Sequence, residues 1–164
     1  MDFPEKISRA AARATGTPLA NALQRSCSDG WETGIVGSHK TAVILVVEDD
    51  REMRSLLCDE FWSAGYQLRE ARDGDEAFRI VLDSAPDLIL TDLRMPAGGA
   101  DYISRLRTVA PGCPIVVMRA FGDTRVRAQV MEAGASAYFD KPVRMSELKL
   151  TVRGLLERKS TVTS

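Results

Sequence analysis

Histidine is almost missing from this chain: His39 is the only one in 164 residues. It sits in a Gly- and Ser-rich stretch and reads as a solvated linker residue. A histidine-built metal centre and a Ser-His-Asp triad are thereby excluded. Cysteine is sparse too. Cys27, Cys58 and Cys113 are odd in number, widely spaced and form no CxxC pair. That pattern excludes a disulfide framework and a thiolate zinc site, and is expected of reduced, buried thiols in an intracellular protein. No apolar run approaches the roughly 20 residues that a membrane span needs. Neither sign of charge dominates, with 22 Lys and Arg against 23 Asp and Glu. The balance offers no electrostatic attraction for nucleic acid or an acidic membrane surface. These absences together predict a cytoplasmic protein.

The length suits one domain with a full core. The chain divides near Thr41. Residues 1–41 hold five Lys or Arg and four Asp or Glu, with scattered Gly, Ser and Thr and no strand-like run. A largely disordered arm is expected there. The stripe of Phe3, Ile7, Ala10, Ala11 and Ala14 leaves a short amphipathic docking helix as the alternative. The arm has no apolar core of a cleaved signal. Residues 26–40 read as a linker, and residues 159–164 as a polar tail.

From residue 42 to 158, apolar runs alternate with amphipathic segments five times. The runs fall at 43–47, 66–71, 88–91, 115–118 and 137–139. The first, third and fourth are nearly continuous in Val, Ile and Leu, as central parallel strands covered on both faces should be. The second is more polar and suits an edge. Helical spacing recurs between them: Leu57 and Phe61, then Ala77 and Val81, Tyr102 and Leu106, Val126 and Val130. Met145, Leu148, Val152 and Leu155 mark the last helix. Five βα repeats predict an α/β fold, a doubly wound five-stranded parallel sheet in a flavodoxin-like (βα)5 three-layer sandwich.

Three short strings stand where strands should run out into loops: Glu48-Asp49-Asp50, Asp92 and Lys141-Pro142. In a parallel sheet all three meet at one carboxyl-terminal edge, where such folds bind ligands. Clustered carboxylates repel one another unless a cation joins them. A divalent ion held by oxygens would offset the repulsion between a carboxylate nucleophile and a phosphate. A lysine adds a point charge for the transferring phosphoryl. The three strings together predict a divalent-metal and phosphoryl site. Each alone has a plainer reading, as a helix cap, a turn residue or a surface charge.

The strings VILVVEDDREMR, APDLILTDLRMP, CPIVVMRAFGD and GASAYFDKPV resemble, in order and spacing, the receiver domains of two-component response regulators. The resemblance covers residues 43–158. It implies a chemotaxis-regulator-like, single-domain signalling module that catalyses at most its own phosphorylation and dephosphorylation. Asp92 would be the phosphoacceptor. Asp49 would ligate Mg²⁺ (or Mn²⁺) directly, with Glu48 acting through water, Asp92 contributing, and the Arg94 backbone carbonyl completing the site. Lys141 would bind the phosphoryl group, next to a cis bond before Pro142. Asp50 is better suited to cap the first helix. The implied donor is a sensor histidine kinase or a histidine phosphotransfer protein. The implied output is a protein partner at the face made by the fourth helix, fifth strand and fifth helix, with the protein a monomer or weak homodimer.

One position departs from that family. Where receivers carry Thr or Ser, paired with an aromatic as a switch, this chain has Arg119 alongside Tyr138. A guanidinium is long, permanently charged and shaped to grip carboxylate or phosphate. One expectation is that it pairs with Asp92 or Asp49 at rest. At about 4 Å such a pair attracts by on the order of 4 kcal/mol with an effective dielectric near 20. That arrangement would make the chain a phosphorylation-independent interaction module locked by Arg119. The others are that it swings out to clamp the phosphoryl later, or points to solvent. The loop MPAGGADY lacks the family's usual Asp-Gly, and Gly98 and Gly99 offer an equivalent turn. A flavin site is disfavoured by the acidic first loop. A dinucleotide site is disfavoured by the missing GxGxxG.

Overall fold

A computed structural model of the protein describes residues 41–95, 99–121 and 124–162. The expectations for the amino-terminal arm, the linker and His39 lie outside the described residues. The elements alternate throughout: β1 (Val43–Val47), α1 (Arg51–Ser63), β2 (Gln67–Ala71), α2 (Gly74–Asp83), β3 (Leu88–Asp92), α3 (Ala100–Val109), β4 (Ile115–Ala120), α4 (Thr124–Glu132), β5 (Ala137–Lys141) and α5 (Met145–Val162). All strands are parallel, in the order β2-β1-β3-β4-β5. This is the doubly wound sandwich that the βα repeat predicts.

Side chains alternate across each strand, so two cores form. Ile44, Val46, Leu88, Leu90, Val116 and Met118 face α1 and α5, where Leu57, Phe61, Leu148 and Val152 meet them. Leu45, Val47, Ile89, Ile115 and Val117 face the other way, against Ala77, Ile103, Leu106 and Val130. Strands buried on both faces explain the unbroken Val, Ile and Leu runs. β2 pairs only with β1, and its middle residues are part-exposed, as an edge strand allows.

Two glycines end helices by a left-handed turn. Gly65 follows α1 at φ 92° and Gly134 follows α4 at φ 112°. Each turn returns backbone N–H groups to the last carbonyls of its helix, for example Ala135 N to Val130 O at 3.1 Å. Three of the strands reach further than their apolar runs, β4 by Arg119 and Ala120. β3 includes Asp92 and β5 includes Lys141, so these residues are held by sheet pairing. α5 also continues past Arg158, where the sequence reading placed a polar tail. Lys159 explains the extension, donating to Asp87 O at 3.1 Å, and Thr161 Oγ1 bonds back to Glu157 O at 3.0 Å.

Candidate phosphoacceptor and metal site

The strand ends bring Glu48, Asp92 and Lys141 together by register. Val47 pairs with Thr91, Asp92 with Met118, and Ala120 with Lys141. Counting by twos from Ile44, Leu88 and Ala137 puts Glu48, Asp92 and Lys141 on the α1/α5 face. Lys141 Nζ lies 2.7 Å from Glu48 Oε2 and 2.8 Å from Asp92 Oδ2. Both acids are buried, Glu48 at 1% and Asp92 at 4% exposure, so a bare charge on either would be costly.

The remaining lone pairs are partly used. Asp92 Oδ1 accepts from Arg94 N at 3.0 Å, and Glu48 Oε1 from Asp50 N at 3.4 Å. Arg54 anchors the turn from the α1 side by donating to Glu48 O at 2.7 Å. Asp50 caps α1 as expected, its Oδ1 accepting from Met53 N at 2.8 Å. Asp49, between these two, is exposed and turned toward the open cleft. The bond between Lys141 and Pro142 is cis.

Burial raises the Glu48 carboxyl above its ordinary range. The nearby Asp92 charge adds to this, while Lys141 opposes it. For Lys141, burial works against the charged form, but the bonds to Asp92 and Glu48 outweigh it and the ammonium is held on more tightly than usual. A single lysine therefore serves two buried acids, with a third acid alongside. Carboxylate oxygens of Glu48, Asp49 and Asp92 all fall within 4.8 Å of one another. An all-oxygen donor set with surplus negative charge fits a hard divalent cation such as Mg²⁺ or Mn²⁺.

The cleft is lined by the acids and Lys141, and also by Met53, Leu56, Arg94 and Ala120. Ala120 was missed in the sequence. Its signal was available, since it lies two residues beyond Met118 on the same face of β4. A small side chain there leaves the cleft open beside Lys141.

Arg119 is elsewhere. It follows Met118 and so points to the opposite face of β4, the side of Val117 and Tyr138. Among the described residues it pairs with neither Asp92 nor Asp49. The expectation of a resting lock through that pair is therefore corrected, and strand alternation is the reason. Tyr138 is buried, with the Arg127 guanidinium 5.6 Å from its ring centre. Burial raises its phenol pKa, the charge of Asp140 and that carboxylate's interaction with the phenol O–H add to this, and Arg119 and Arg127 pull it back. No helix of the described residues is long and apolar enough to cross a membrane.

Comparison with known proteins agrees with this geometry. Residues 44–153 match the family model of the response regulator receiver domain. The chain is 36% identical over 118 residues to the response regulator MprA of Mycobacterium sp. (strain KMS), covering 71% of this chain and 51% of that protein. It is 32% identical over 118 residues to the sporulation initiation phosphotransferase F of Bacillus subtilis (strain 168), covering 71% of this chain and 95% of that protein. The chain thus spans about half the length of the MprA relatives and nearly all of the shorter one. The fold matches a response regulator receiver domain protein (CheY-like) from Methanospirillum hungatei JF-1, with a TM-score of 0.71 at 21% identity, covering 74% of this chain and 98% of that one. With five parallel strands in the shared order, an acidic cluster at their carboxyl ends and a family match over two thirds of its length, the chain belongs to the response regulator receiver domains, which are phosphoacceptor signalling modules.

Proposed function

We propose that Asp92 accepts a phosphoryl group from a phosphohistidine on a sensor kinase or phosphotransfer protein. In this reaction the N–P bond of the donor breaks and an O–P bond forms at the Asp92 carboxylate, giving an acyl phosphate. The observation that carries this reading is the buried Asp92 carboxylate held between Lys141 and Arg94 N, beside two further acids. Mg²⁺ or Mn²⁺, when bound, would offset the repulsion between the carboxylate and the incoming phosphate. Glu48, Asp49, Asp92 and the Arg94 carbonyl are the groups that would hold it.

The protein's own residues divide the remaining work. Arg94 N fixes one Asp92 oxygen and so orients the carboxylate toward the cleft. Lys141 holds the other and, once Asp92 carries the phosphoryl group as a mixed anhydride, is free to bind a phosphoryl oxygen as a point charge. Ala120 keeps the approach open. Output would pass to a protein partner on the face of α4, β5 and α5, with the protein acting in the cytoplasm as a monomer or weak homodimer.

The test is to incubate the full chain with acetyl phosphate and Mg²⁺ and record the intact mass. A phosphoryl adduct on the wild type that is absent from Asp92→Asn supports the reading. An adduct that survives in Asp92→Asn, or none on a wild type shown to bind Mg²⁺, would sink it.

A further inference from the structure

We infer that Arg54 is a positioning residue for the divalent-metal site, acting through the backbone of the acidic loop and anchored by Glu70 on the edge strand. The inference rests on the metal part of the proposed function and needs no phosphoryl transfer at Asp92. Arg54 lies in the first turn of α1, with its side chain only 17% exposed. Its Nη1 donates to the Glu48 carbonyl at 2.7 Å, and its Nε to Glu70 Oε2 at 3.2 Å. Neither acceptor is an oxygen that would hold the ion.

Three bonds fix the loop where β1 ends. Glu48 N donates to Ala71 O at 3.0 Å, which ties the residue to β2 on its amino side. Arg54 Nη1 holds the carbonyl on its other side. Arg54 N reaches Asp50 O at 2.9 Å and closes the loop onto the helix. Asp49 lies between these ties. The peptide that joins it to Glu48 is planar, so the direction of the Glu48 carbonyl also sets where the Asp49 side chain starts. Asp49 is exposed, and burial does little to orient it. Glu48 and Asp92 are already held by Lys141. Arg54 thus governs the acid of the three that Lys141 does not hold.

Arginine suits the task because its fork serves two acceptors at once. Glu70 stands level with Val46 in the β1–β2 ladder, so its carboxylate is supplied from the sheet. This gives a reason for an acid in that edge strand. Glu70 is 56% exposed, so its own charge is screened from the ion and its effect passes through Arg54. Charge alone argues the other way for Arg54. A guanidinium near three acids weakens their attraction for a cation, so a purely electrostatic Arg54 would tighten the ion when removed. Positioning predicts that its removal loosens the ion. The two roles differ in sign.

The test is binding of Mn²⁺ alone to the full chain, followed by the electron paramagnetic resonance signal of the free ion. Urea midpoints of the metal-free proteins are measured beside it. Arg54→Gln should weaken Mn²⁺ about tenfold, the scale expected when a group that orients a ligand is lost. Arg54→Lys keeps the charge without the fork and should weaken it about threefold. Glu70→Gln should weaken it by a similar factor in the wild type and add nothing in Arg54→Gln, since both act through one contact. Tighter or unchanged Mn²⁺ in Arg54→Gln would overturn the inference, whatever the urea midpoint does. A Glu70→Gln effect that persists undiminished without Arg54 would overturn the anchoring. Should Arg54→Gln not fold, Arg54→Lys decides, and unchanged affinity there overturns the inference. A wild type that binds no Mn²⁺ is the failure of the metal reading itself. Variants that match a wild type able to bind it are the failure of this inference alone.

Discussion

Lys141 Nζ stands 2.8 Å from Asp92 Oδ2, so the candidate nucleophile is already neutralised by the residue expected to bind the phosphoryl group. The same nitrogen also serves Glu48 at 2.7 Å. Lysine thus holds the strand ends together when no divalent ion is present. Removing it should expose how much of the fold depends on it.

Lys141→Met leaves two buried carboxylates without their cation. Breaking a buried pair costs about 3–5 kcal/mol, and roughly 2–3 kcal/mol is expected here because Asp49 keeps the cleft wet. The urea midpoint should fall accordingly in EDTA. Mg²⁺ should raise the midpoint of the variant more than that of the wild type, since the ion then has the acids to itself. Equal Mg²⁺ effects in both proteins would mean the acids do not form the ion site. Asp49→Ala in either background should reduce the Mg²⁺ effect sharply.

Arg119→Thr should leave phosphorylation nearly unchanged. The guanidinium is on the far face of β4 from Asp92, with no bond to any of the three acids. The rate of adduct formation from acetyl phosphate, followed by intact mass, should differ from the wild type by less than about threefold, or about 0.7 kcal/mol of barrier. An adduct that forms only in the Thr variant would restore Arg119 as a block.

The readability of this chain varied by residue. The central strands were plain because two-sided burial forces unbroken apolar runs. The placement of Glu48, Asp92 and Lys141 followed once the strands were taken as parallel, since parity and strand ends are fixed by sequence. Direction was open at one position, where a pair with the acids, an outward swing and a solvent-facing side chain all suited the chemistry of Arg119. Arg119 sits one residue after Met118, and alternation alone would have turned it away from Asp92. Its charge suits a pair with Asp92 or Asp49, which strand alternation does not bring together. Ala120 was overlooked for the opposite reason, being on the correct face but chemically quiet. The end of α5 was hidden because Ser160 and Thr161 read as polar tail, while the contact of Lys159 with Asp87 is visible only in three dimensions.

Gly134 and Gly65 separate backbone strain from crowding. Both have positive φ, at 112° and 92°, which an L side chain resists. A methyl group at Gly134 would also meet Arg107 Cγ at 3.0 Å, whereas at Gly65 nothing lies within 4 Å. Gly65→Ala should cost about 1 kcal/mol, from the left-handed backbone alone. Gly134→Ala should cost more, about 1–3 kcal/mol, because the Arg107 stem must shift and its bonds to Pro111 O and Cys113 O are disturbed. Urea denaturation of the two variants checks the order, and a larger loss at Gly65 would contradict it.

Alkaline pH should unfold this protein earlier than its neutral stability suggests. Burial raises the Cys113 thiol from 9.0 to about 11, and burial aided by Glu70 does the same for Cys58. Burial also pushes the Tyr102 phenol upward. A group whose folded pKa is raised keeps its full stabilising effect below the unfolded value. That effect is lost as pH climbs toward the folded one. The thiols therefore set a window from about pH 9 to about 11. Lys141, also raised, adds its loss only above its ordinary 10.5. Each pKa unit corresponds to about 1.4 kcal/mol, so Cys113 alone should remove about 2–3 kcal/mol across the window. Cys58, less deeply buried, should remove less. The urea midpoint should be level from pH 7 to 8.5 and fall steadily beyond 9. With both cysteines changed to Ala, the fall should begin only near pH 10, where tyrosine and then lysine take over. A wild-type midpoint that stays level to pH 11 would show that these thiols are hydrated in the folded protein.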